Sequence, residues 1–266
     1  MIDARLLEAV GSLVRRHTRP GHIPLIGIAG SQGSGKTTLA RAAAATLQAA
    51  QFSLDDVYLT KAERVQKGRA VHPLFETRGV PGTHDLGLLA ASVAALRGAG
   101  ADSRTPIPNF DKLADDRRCE AAWPVFEGKP TAVLVEGWCL GATAQGETHL
   151  AEPLNDLERD GDPEGIWRRA VNEALGDAYA EASAAFDAVL FLRAPGFETV
   201  LDWRCEQEAG LLGIAPEDLP NGRRAELAAF VQGFERVTRH MLAGGMRADV
   251  VVQLDEGRGV VGVRSR

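Results

Sequence analysis

The chain has 266 residues, 45% apolar and 25% charged, enough to build a real core in one large domain or two ordinary ones. A net charge of −6, with arginine pairs such as Arg15-Arg16, Arg168-Arg169 and Arg223-Arg224 but no longer basic run, argues against nucleic acid as a partner. Cys119, Cys139 and Cys205 are too scattered for a disulfide framework or a C-x-x-C site, and neither a basic-then-apolar leader nor a membrane-length apolar run is visible, so a cytoplasmic protein with no membrane partner is expected.

Leu6, Leu7, Val10, Leu13 and Val14 lie at helical spacing and predict an amphipathic helix within residues 1–20, closed by Arg19-Pro20-Gly21. Ile23 to Ala29 reads as a buried strand, and Thr37 to Ala50, with Leu39, Ala43 and Leu47, as a helix. Gln51 to Leu54 is a short strand that delivers Asp55-Asp56-Val57-Tyr58. Residues 61 to 85 read as a long, polar, Gly- and Pro-bearing connection, after which Thr83 or Asp85 caps a helix over Leu86 to Leu96. Thr105 to Trp123 is a second irregular segment. Thr131 to Val135 is a strand that ends in Glu136-Gly137. Beyond an acidic, turn-rich stretch from Leu150 to Gly165 come a helix over Trp167 to Ala184, a strand over Ala188 to Leu192 and a helix over Phe197 to Leu212. Leu227, Phe230, Val231, Phe234, Val237 and Met241 mark another helix, and Ala248 to Leu254 a last strand. Strands alternating with helices predict an α/β domain with a mainly parallel sheet and helices on both faces. The strand candidates span Ile23 to Leu254, so residues 1–266 are read as one domain.

Gly30-Ser31-Gln32-Gly33-Ser34-Gly35-Lys36-Thr37-Thr38 fits the phosphate-binding template G-x-x-x-x-G-K-[ST] at every fixed position, between a predicted strand and a predicted helix. The glycines let backbone N–H groups turn inward, and the helix start adds unpaired N–H groups and a positive dipole end. The whole loop is therefore expected to bind a nucleoside triphosphate, with Lys36 on the β- and γ-phosphates and Thr37 on Mg²⁺. Because ligands in such sheets sit beyond the carboxyl ends of the strands, the loop, Asp55-Asp56 and Glu136 are expected to share one crevice.

One aspartate of the pair Asp55-Asp56 is expected to face the transferred phosphate, since neighbours on a strand point to opposite faces; which one stays open. Glu136 either orients a metal-bound water or pairs with Lys36. Arg204 and Glu208, four apart on a predicted helix, form either a surface pair or a lid cation with its partner. Arg78, His84 and Lys112 fall on the two irregular segments. Their charges suit a carboxylate-bearing acceptor better than a neutral nucleoside, which would leave buried cations unpaired. A guanine-nucleotide switch is disfavoured: no N-K-x-D occurs, and Asp162-Pro163-Glu164-Gly165 fits D-x-x-G only after an acidic loop, where the motif should follow a strand.

Taken together these stretches resemble the P-loop small-molecule kinases that include phosphoribulokinase, uridine kinase and bacterial pantothenate kinase, and most of all the D-glycerate 3-kinase branch. The resemblance rests on the phosphate loop, on Ser53-Leu54-Asp55-Asp56-Val57-Tyr58-Leu59-Thr60 and on Arg78-Gly79-Val80-Pro81-Gly82-Thr83-His84-Asp85. It continues through Ile107 to Lys112, Val135 to Trp138 and Trp203 to Glu208, in order over residues 23 to 255. It implies an ATP- and Mg²⁺-dependent kinase that phosphorylates a hydroxyl of a small anionic metabolite, D-glycerate first. The alternatives are pantothenate, uridine or a pentose phosphate, or an ATP-binding regulator with no acceptor. It implies Lys36, Asp55 and Arg204 as catalytic residues, Asp55 as the base, and Thr37 and Glu136 at the metal. Asp56, Tyr58, Arg78, His84, Asp111 and Lys112 fall on the substrate side, and a helical lid over about residues 197–226. Residues 141–165 have no counterpart in the better-described relatives.

Overall fold

A computed structural model describes residues 2–265. The chain runs α1 (Ala4–His17), β1 (Leu25–Gly30), α2 (Lys36–Leu47), β2 (Ala50–Ser53), α3 (Lys61–Ala70) and α4 (Leu86–Arg97). Four short strands follow: β3 (Arg104–Pro106), β4 (Phe110–Asp111), β5 (Asp116–Arg117) and β6 (Val125–Glu127). Then come β7 (Val133–Gly137), α5 (Asp156–Gly161), α6 (Ile166–Gly176), α7 (Ala178–Ala184) and β8 (Ala188–Arg193). The chain closes with α8 (Glu198–Leu212), α9 (Asn221–Leu242), β9 (Val250–Leu254) and β10 (Val260–Ser265).

Six strands make the main sheet in the order β10-β9-β8-β1-β7-β2, parallel throughout except for β10. Alternation along the strands divides the core between its two faces. Leu25, Phe52, Val133, Val135, Val189 and Phe191 face α4, α6, α7 and α9. Ile26, Ile28, Leu134, Leu190, Leu192 and Val252 face α1, α2 and Trp203 of α8. The central strands are buried on both faces, which is why they read as unbroken apolar runs. The helical hairpin of α8 and α9 has two small clusters of its own, one around Val200 and Val231, the other around Cys205 and Leu227. Cys139 and Cys205 are buried thiols and Cys119 an exposed one. Among the described residues no helix is long and apolar enough to cross a membrane.

Several predicted boundaries move. The helix after the phosphate loop stops at Leu47, because Gln48 turns left-handed and Ala50 already belongs to β2. The connection 61–85 is not irregular: it holds α3, which shows no apolar stripe because it buries only Arg64 and Gly68. A capping box between Thr60 and Glu63 starts it. The helix expected over 167–184 is two, broken at Asp177. The acidic stretch is ordered by two ion pairs, Glu158 with Arg236 at 2.5 Å and Asp162 with Arg168 at 3.2 Å. Asp162 also accepts the backbone N–H groups of Trp167 and Arg168, so its D-x-x-G pattern is a helix start.

Candidate active site

The phosphate loop leaves β1 at Gly30 and enters α2 at Lys36. Gly33 has φ +75°, and a Cβ there would lie 2.5 Å from the Cβ of Trp203, so only glycine lets α8 close on the loop. Glu136, 3% exposed on β7, pairs in register with Ile28 of β1 and with Ser53 of β2. Those three parallel neighbours bring the loop, Glu136 and Asp55-Asp56 to one end of the sheet. The Thr37 hydroxyl donates to Glu136 Oε1 at 2.7 Å, and Lys36 Nζ lies 4.0 Å from Oε2. The sequence left Glu136 between a metal role and a pair with Lys36; the geometry permits both. Ser31 Oγ, Gln32 Oε1, Ser34 Oγ and Glu136 Oε2 are buried without a protein partner. Each such atom costs about 1–3 kcal/mol unless something satisfies it, so this end of the molecule is built to receive polar atoms. A hydroxyl beside a carboxylate with an unused oxygen is a hard oxygen set that fits Mg²⁺, an ion that takes one or two protein ligands and fills its shell with phosphate and water. Thr38 is exposed on the first turn of α2.

Asp55 and Asp56 do not sit on a strand, so it is not strand alternation that sends their side chains different ways. They belong to a 3-10 turn over Leu54–Val57 that Ser53 caps. Asp56 turns back and accepts the Ser53 backbone N–H at 2.9 Å, completing a capping box. Burial pushes its carboxyl up to about 6 despite that hydrogen bond. Asp55 points the other way. It accepts from the Tyr58 hydroxyl at 3.0 Å and from Lys112 Nζ at 2.7 Å. Burial alone would raise its carboxyl, but the Lys112 ammonium, with Lys36 behind it, outweighs burial and brings it to about 2.

The two most specific sequence stretches dock on each other. Tyr58 and His84 form an antiparallel bridge, Leu59 N–H donates to the Thr83 carbonyl and Asp85 N–H to that of Val57. The tight turn Arg78 to Asp85 needs Gly79 at φ +137°, where a Cβ would strike the Phe234 ring. Asp85, not Thr83, caps α4. His84 is 6% exposed, stacked on Tyr58 with ring centroids 4.4 Å apart, and its Nδ1 meets the Tyr179 hydroxyl. Burial pushes its pKa down to about 4, against the pull of Asp55, so the imidazole is uncharged at neutral pH.

The expected surplus of cations for an anionic acceptor is therefore corrected. His84 is neutral, Lys112 is paired with Asp55, and Arg78 pairs with Asp115 while donating to the Lys112 carbonyl at 3.3 Å. None would be stranded by a neutral nucleoside, so the charge argument against uridine falls. Asp111 shapes its own turn, accepting from the N–H groups of Leu113 and Ala114 and from Arg118. Two residues that no local pattern marks out hold these loops in place. Arg64, 1% exposed, donates to the carbonyls of Leu59, Glu76 and Asp115. Arg117 joins Asp85 at 2.9 Å to Glu63 at 3.2 Å. Contacts between residues so far apart in the chain leave no local pattern to read.

Arg204 does pair with Glu208, at 3.0 Å, but the pair is largely buried and Arg223 shares the same carboxylate, so the reading of a plain surface pair is corrected. Arg204 Nη1 is buried without a protein partner. Arg258, also absent from the sequence reading, reaches across from the turn between β9 and β10. Its Nε donates to the Gly33 carbonyl at 2.6 Å, it pairs with Glu206 at 2.6 Å, and it lies over the Trp203 ring. The C-terminal hairpin thus braces both the phosphate loop and α8.

A strand–loop–helix cradle with Lys36, Thr37 and Glu136 at the end of a parallel sheet is the phosphate-binding arrangement of the P-loop fold. No protein-family model matches the chain. It is 34% identical over 221 residues to the uncharacterized kinase mug58 of Schizosaccharomyces pombe, an alignment covering 77% of this chain and 78% of that one. It is 31% identical over 214 residues to the chloroplastic D-glycerate 3-kinase of Arabidopsis thaliana, covering 73% of this chain but only 44% of that protein's length. Among solved structures, the D-glycerate 3-kinase from Cryptococcus neoformans var. grubii matches with a TM-score of 0.78, 22% identity and full coverage of both chains, a likeness of fold. The chain belongs to the D-glycerate 3-kinase branch of the P-loop kinases, and it is a phosphotransferase with an alcohol group as acceptor.

Proposed function

We propose that the protein transfers the γ-phosphoryl group of MgATP to a hydroxyl of D-glycerate. One observation supports the chemistry above others: Asp55, held by Lys112 and Tyr58, lies in the turn that follows β2, whose Ser53 pairs in register with Glu136, at the same end of the sheet as the phosphate loop. The choice of D-glycerate rests on the family and on the relative from Arabidopsis thaliana.

In this reading residues 30–38 wrap the phosphates with backbone N–H groups and the α2 dipole, while Lys36 draws charge off the β- and γ-oxygens. Thr37 and Glu136 hold Mg²⁺, which when bound shields the phosphate charge. Lys112 takes the acceptor's carboxylate and Asp55 accepts a hydrogen bond from its hydroxyl. A carboxylate, with or without Lys112 beside it, is too weak a base to ionise a free alcohol. It orients the hydroxyl and receives the proton late, as the new P–O bond forms and the bond to the β-phosphate oxygen breaks, releasing ADP. Tyr58 holds Asp55 in place, and Arg78 holds the Lys112 backbone. Asp56 serves the 3-10 turn and Asp111 its own loop, so both act on the substrate only through the shape of these segments. Residues 197–226 form the lid of a single kinase domain, and Arg204 brings its unpartnered Nη1 to the phosphates.

An acceptor screen tests the proposal. D-glycerate, L-glycerate, pantothenate, ribulose 5-phosphate and uridine are each offered with MgATP, and ADP release and product mass are followed. D-glycerate should become a phosphoglycerate. Efficient turnover of another acceptor with D-glycerate inert would overturn the substrate and leave the phosphotransferase intact.

A further inference from the structure

We propose that Tyr179 of α7 fixes His84 as the Nε2–H tautomer and so makes it an uncharged hydrogen-bond donor to an oxygen of the acceptor. The donor role rests on the kinase reading above; the tautomer does not.

The hydroxyl of Tyr179 has two neighbours. It accepts the Gly82 backbone N–H at 3.0 Å, and it meets His84 Nδ1. Its oxygen is thus occupied as an acceptor, and its own proton has one place to go, the Nδ1 lone pair. If Nδ1 carried the hydrogen instead, the Tyr179 oxygen would accept twice and its O–H, buried in the same contact, would have no acceptor. With Nδ1 an acceptor, a neutral imidazole must carry its hydrogen on Nε2.

That Nε2 is the polar atom of His84 for which the protein offers no partner, and it is buried. Its position ties it to the chemistry. The imidazole stacks on Tyr58, whose hydroxyl donates to Asp55, so one aromatic layer separates the donor from the carboxylate that takes the acceptor hydroxyl. The charged groups around it are few. Asp55 lies beyond Tyr58, Lys112 neutralises Asp55, Lys67 of α3 donates to the Gly82 carbonyl at 2.8 Å, burial keeps the Cys139 thiol protonated, and α7 offers only the phenol of Tyr179. A neutral donor is of use here. It can bind an acceptor oxygen without adding a second cation beside Lys112, which would draw Asp55 away from the hydroxyl it must orient. The tight turn through Gly79 and Gly82 and the bridge to Tyr58 fix the ring from one side; Tyr179 fixes its proton from the other.

Tyr179 is in this reading a positioning residue, since it acts through His84. The test is a nitrogen NMR spectrum of the full chain with ¹⁵N-labelled histidine, in which the protonated and bare ring nitrogens are distinguished directly. His84 is assigned among the six histidines by the loss of its signals in His84→Gln. The wild-type protein should show His84 as a single Nε2–H form that stays neutral from pH 8 to about pH 5, where exposed histidines titrate. A wild-type spectrum with hydrogen on Nδ1 overturns the proposal without need of any variant. Tyr179→Phe keeps the ring and removes the hydroxyl. It should give a mixed or Nδ1–H form and raise the KM for D-glycerate about tenfold, with the KM for ATP unchanged. An unaltered tautomer in that variant overturns the role of Tyr179; an altered tautomer with unchanged KM for D-glycerate overturns the contact with the acceptor. If neither protein phosphorylates D-glycerate, the substrate reading fails, and the nitrogen spectra still decide the tautomer.

Discussion

The two ends of the candidate site are built on opposite principles. On the nucleotide side polar atoms stand idle: Ser31, Gln32, Ser34 and one oxygen of Glu136 have no protein partner. On the acceptor side nearly every charge is spoken for, Lys112 with Asp55, Arg78 with Asp115, Arg117 with Asp85 and Glu63. The first end is a preformed mould: the Ser31 and Ser34 hydroxyls are free to donate to a phosphate, whereas Gln32 Oε1 and Glu136 Oε2, acceptors only, call for a cation or a water that donates. At the second, an anionic acceptor must displace an existing ion pair. Lys112 is the element able to yield, because its side chain is 61% exposed while that of Asp55 is held by Tyr58 as well. The difference teaches where each kind of specificity resides. Under the proposed function, the mould would recognise any polyphosphate of the right length, whereas the self-paired loops would admit only a molecule that offers Lys112 a better partner than Asp55.

The largest effect should come from the mould. Lys36→Ala removes its one mobile charge, and phosphoryl transfer should fall roughly 10³–10⁵-fold, the range for a lost cation on the transferred group. The melting temperature should hold, since the one ion pair of Lys36 is a long one, 4.0 Å to Glu136. Near-normal turnover by a folded Lys36→Ala protein would break the comparison at its firmer end.

Asp55→Asn comes next. It should lower kcat about 10²–10³-fold, while ATP binding changes little. Asp56→Ala, one residue along, should instead leave kcat within a few-fold and cost about 1 kcal/mol of stability near pH 4, where the carboxyl is protonated and only the cap is lost. The two aspartates also oppose each other in stability against pH. Asp55, depressed to about 2, contributes stability that is present above its ordinary 3.8 and lost as pH falls toward 2. Asp56, raised to about 6, contributes in the other sense: its share is complete below 3.8 and lost as pH rises through 6. Removing Asp56 should therefore flatten the fall in stability between pH 4 and 6. A larger kcat loss in the Asp56 variant would exchange the two roles.

How far the sequence carried this comparison follows from the same contrast. The mould was legible because a phosphate loop is a backbone shape with a fixed spacing, set between a strand and a helix that announce themselves by burial. The central strands β1, β7 and β8 were legible for the same reason. The acceptor side was not. α3 carries no apolar face and is held by a capping box and by the buried Arg64, so its polarity reads as loop. Asp55 and Asp56 are indistinguishable as letters; only the 3-10 turn sends one to a backbone N–H and the other to Lys112. His84 looks like a cation until its burial is known. Arg258 lies 225 residues from the Gly33 carbonyl it braces, and β10 shifts register between Val260 and Gly262 and is exposed along much of its length.

Lys112→Ala tests the self-paired end. The acceptor's KM should rise about tenfold, the worth of one charge-assisted hydrogen bond at a half-open site. The pH profile should move too. In the wild-type protein Lys112 outweighs burial and keeps the Asp55 carboxyl low, so activity should persist to acid pH. Without the ammonium, burial is opposed less, the carboxyl titrates higher, and the acid limb of kcat/KM should shift upward. An acid limb that stays in place would mean that Lys112 does not control Asp55.

The smallest effect is expected where the two designs meet, at Arg204. One of its terminal nitrogens is idle, like the mould, and the other is committed to Glu208, like the acceptor loops. If the idle Nη1 serves the phosphates, Arg204→Ala should lower kcat about fivefold, ~1 kcal/mol, because only part of the guanidinium is free to act. Loss of packing near Trp203 would predict something else, a drop in melting temperature with kcat preserved. Arg223→Ala separates the two. It removes the other partner of the same Glu208 carboxylate, with distances of 2.5 Å to Arg223 and 3.0 Å to Arg204, and it has no route to the phosphates through its own contacts, which end on Glu208 and Glu226. Freed from Arg223, Glu208 should hold Arg204 more tightly, so Arg223→Ala should lower kcat slightly or not at all and reduce stability by less than about 1 kcal/mol. Equal losses of kcat in both variants would assign Arg204 to the ion-pair network of the α8–α9 hairpin and take it out of the chemistry.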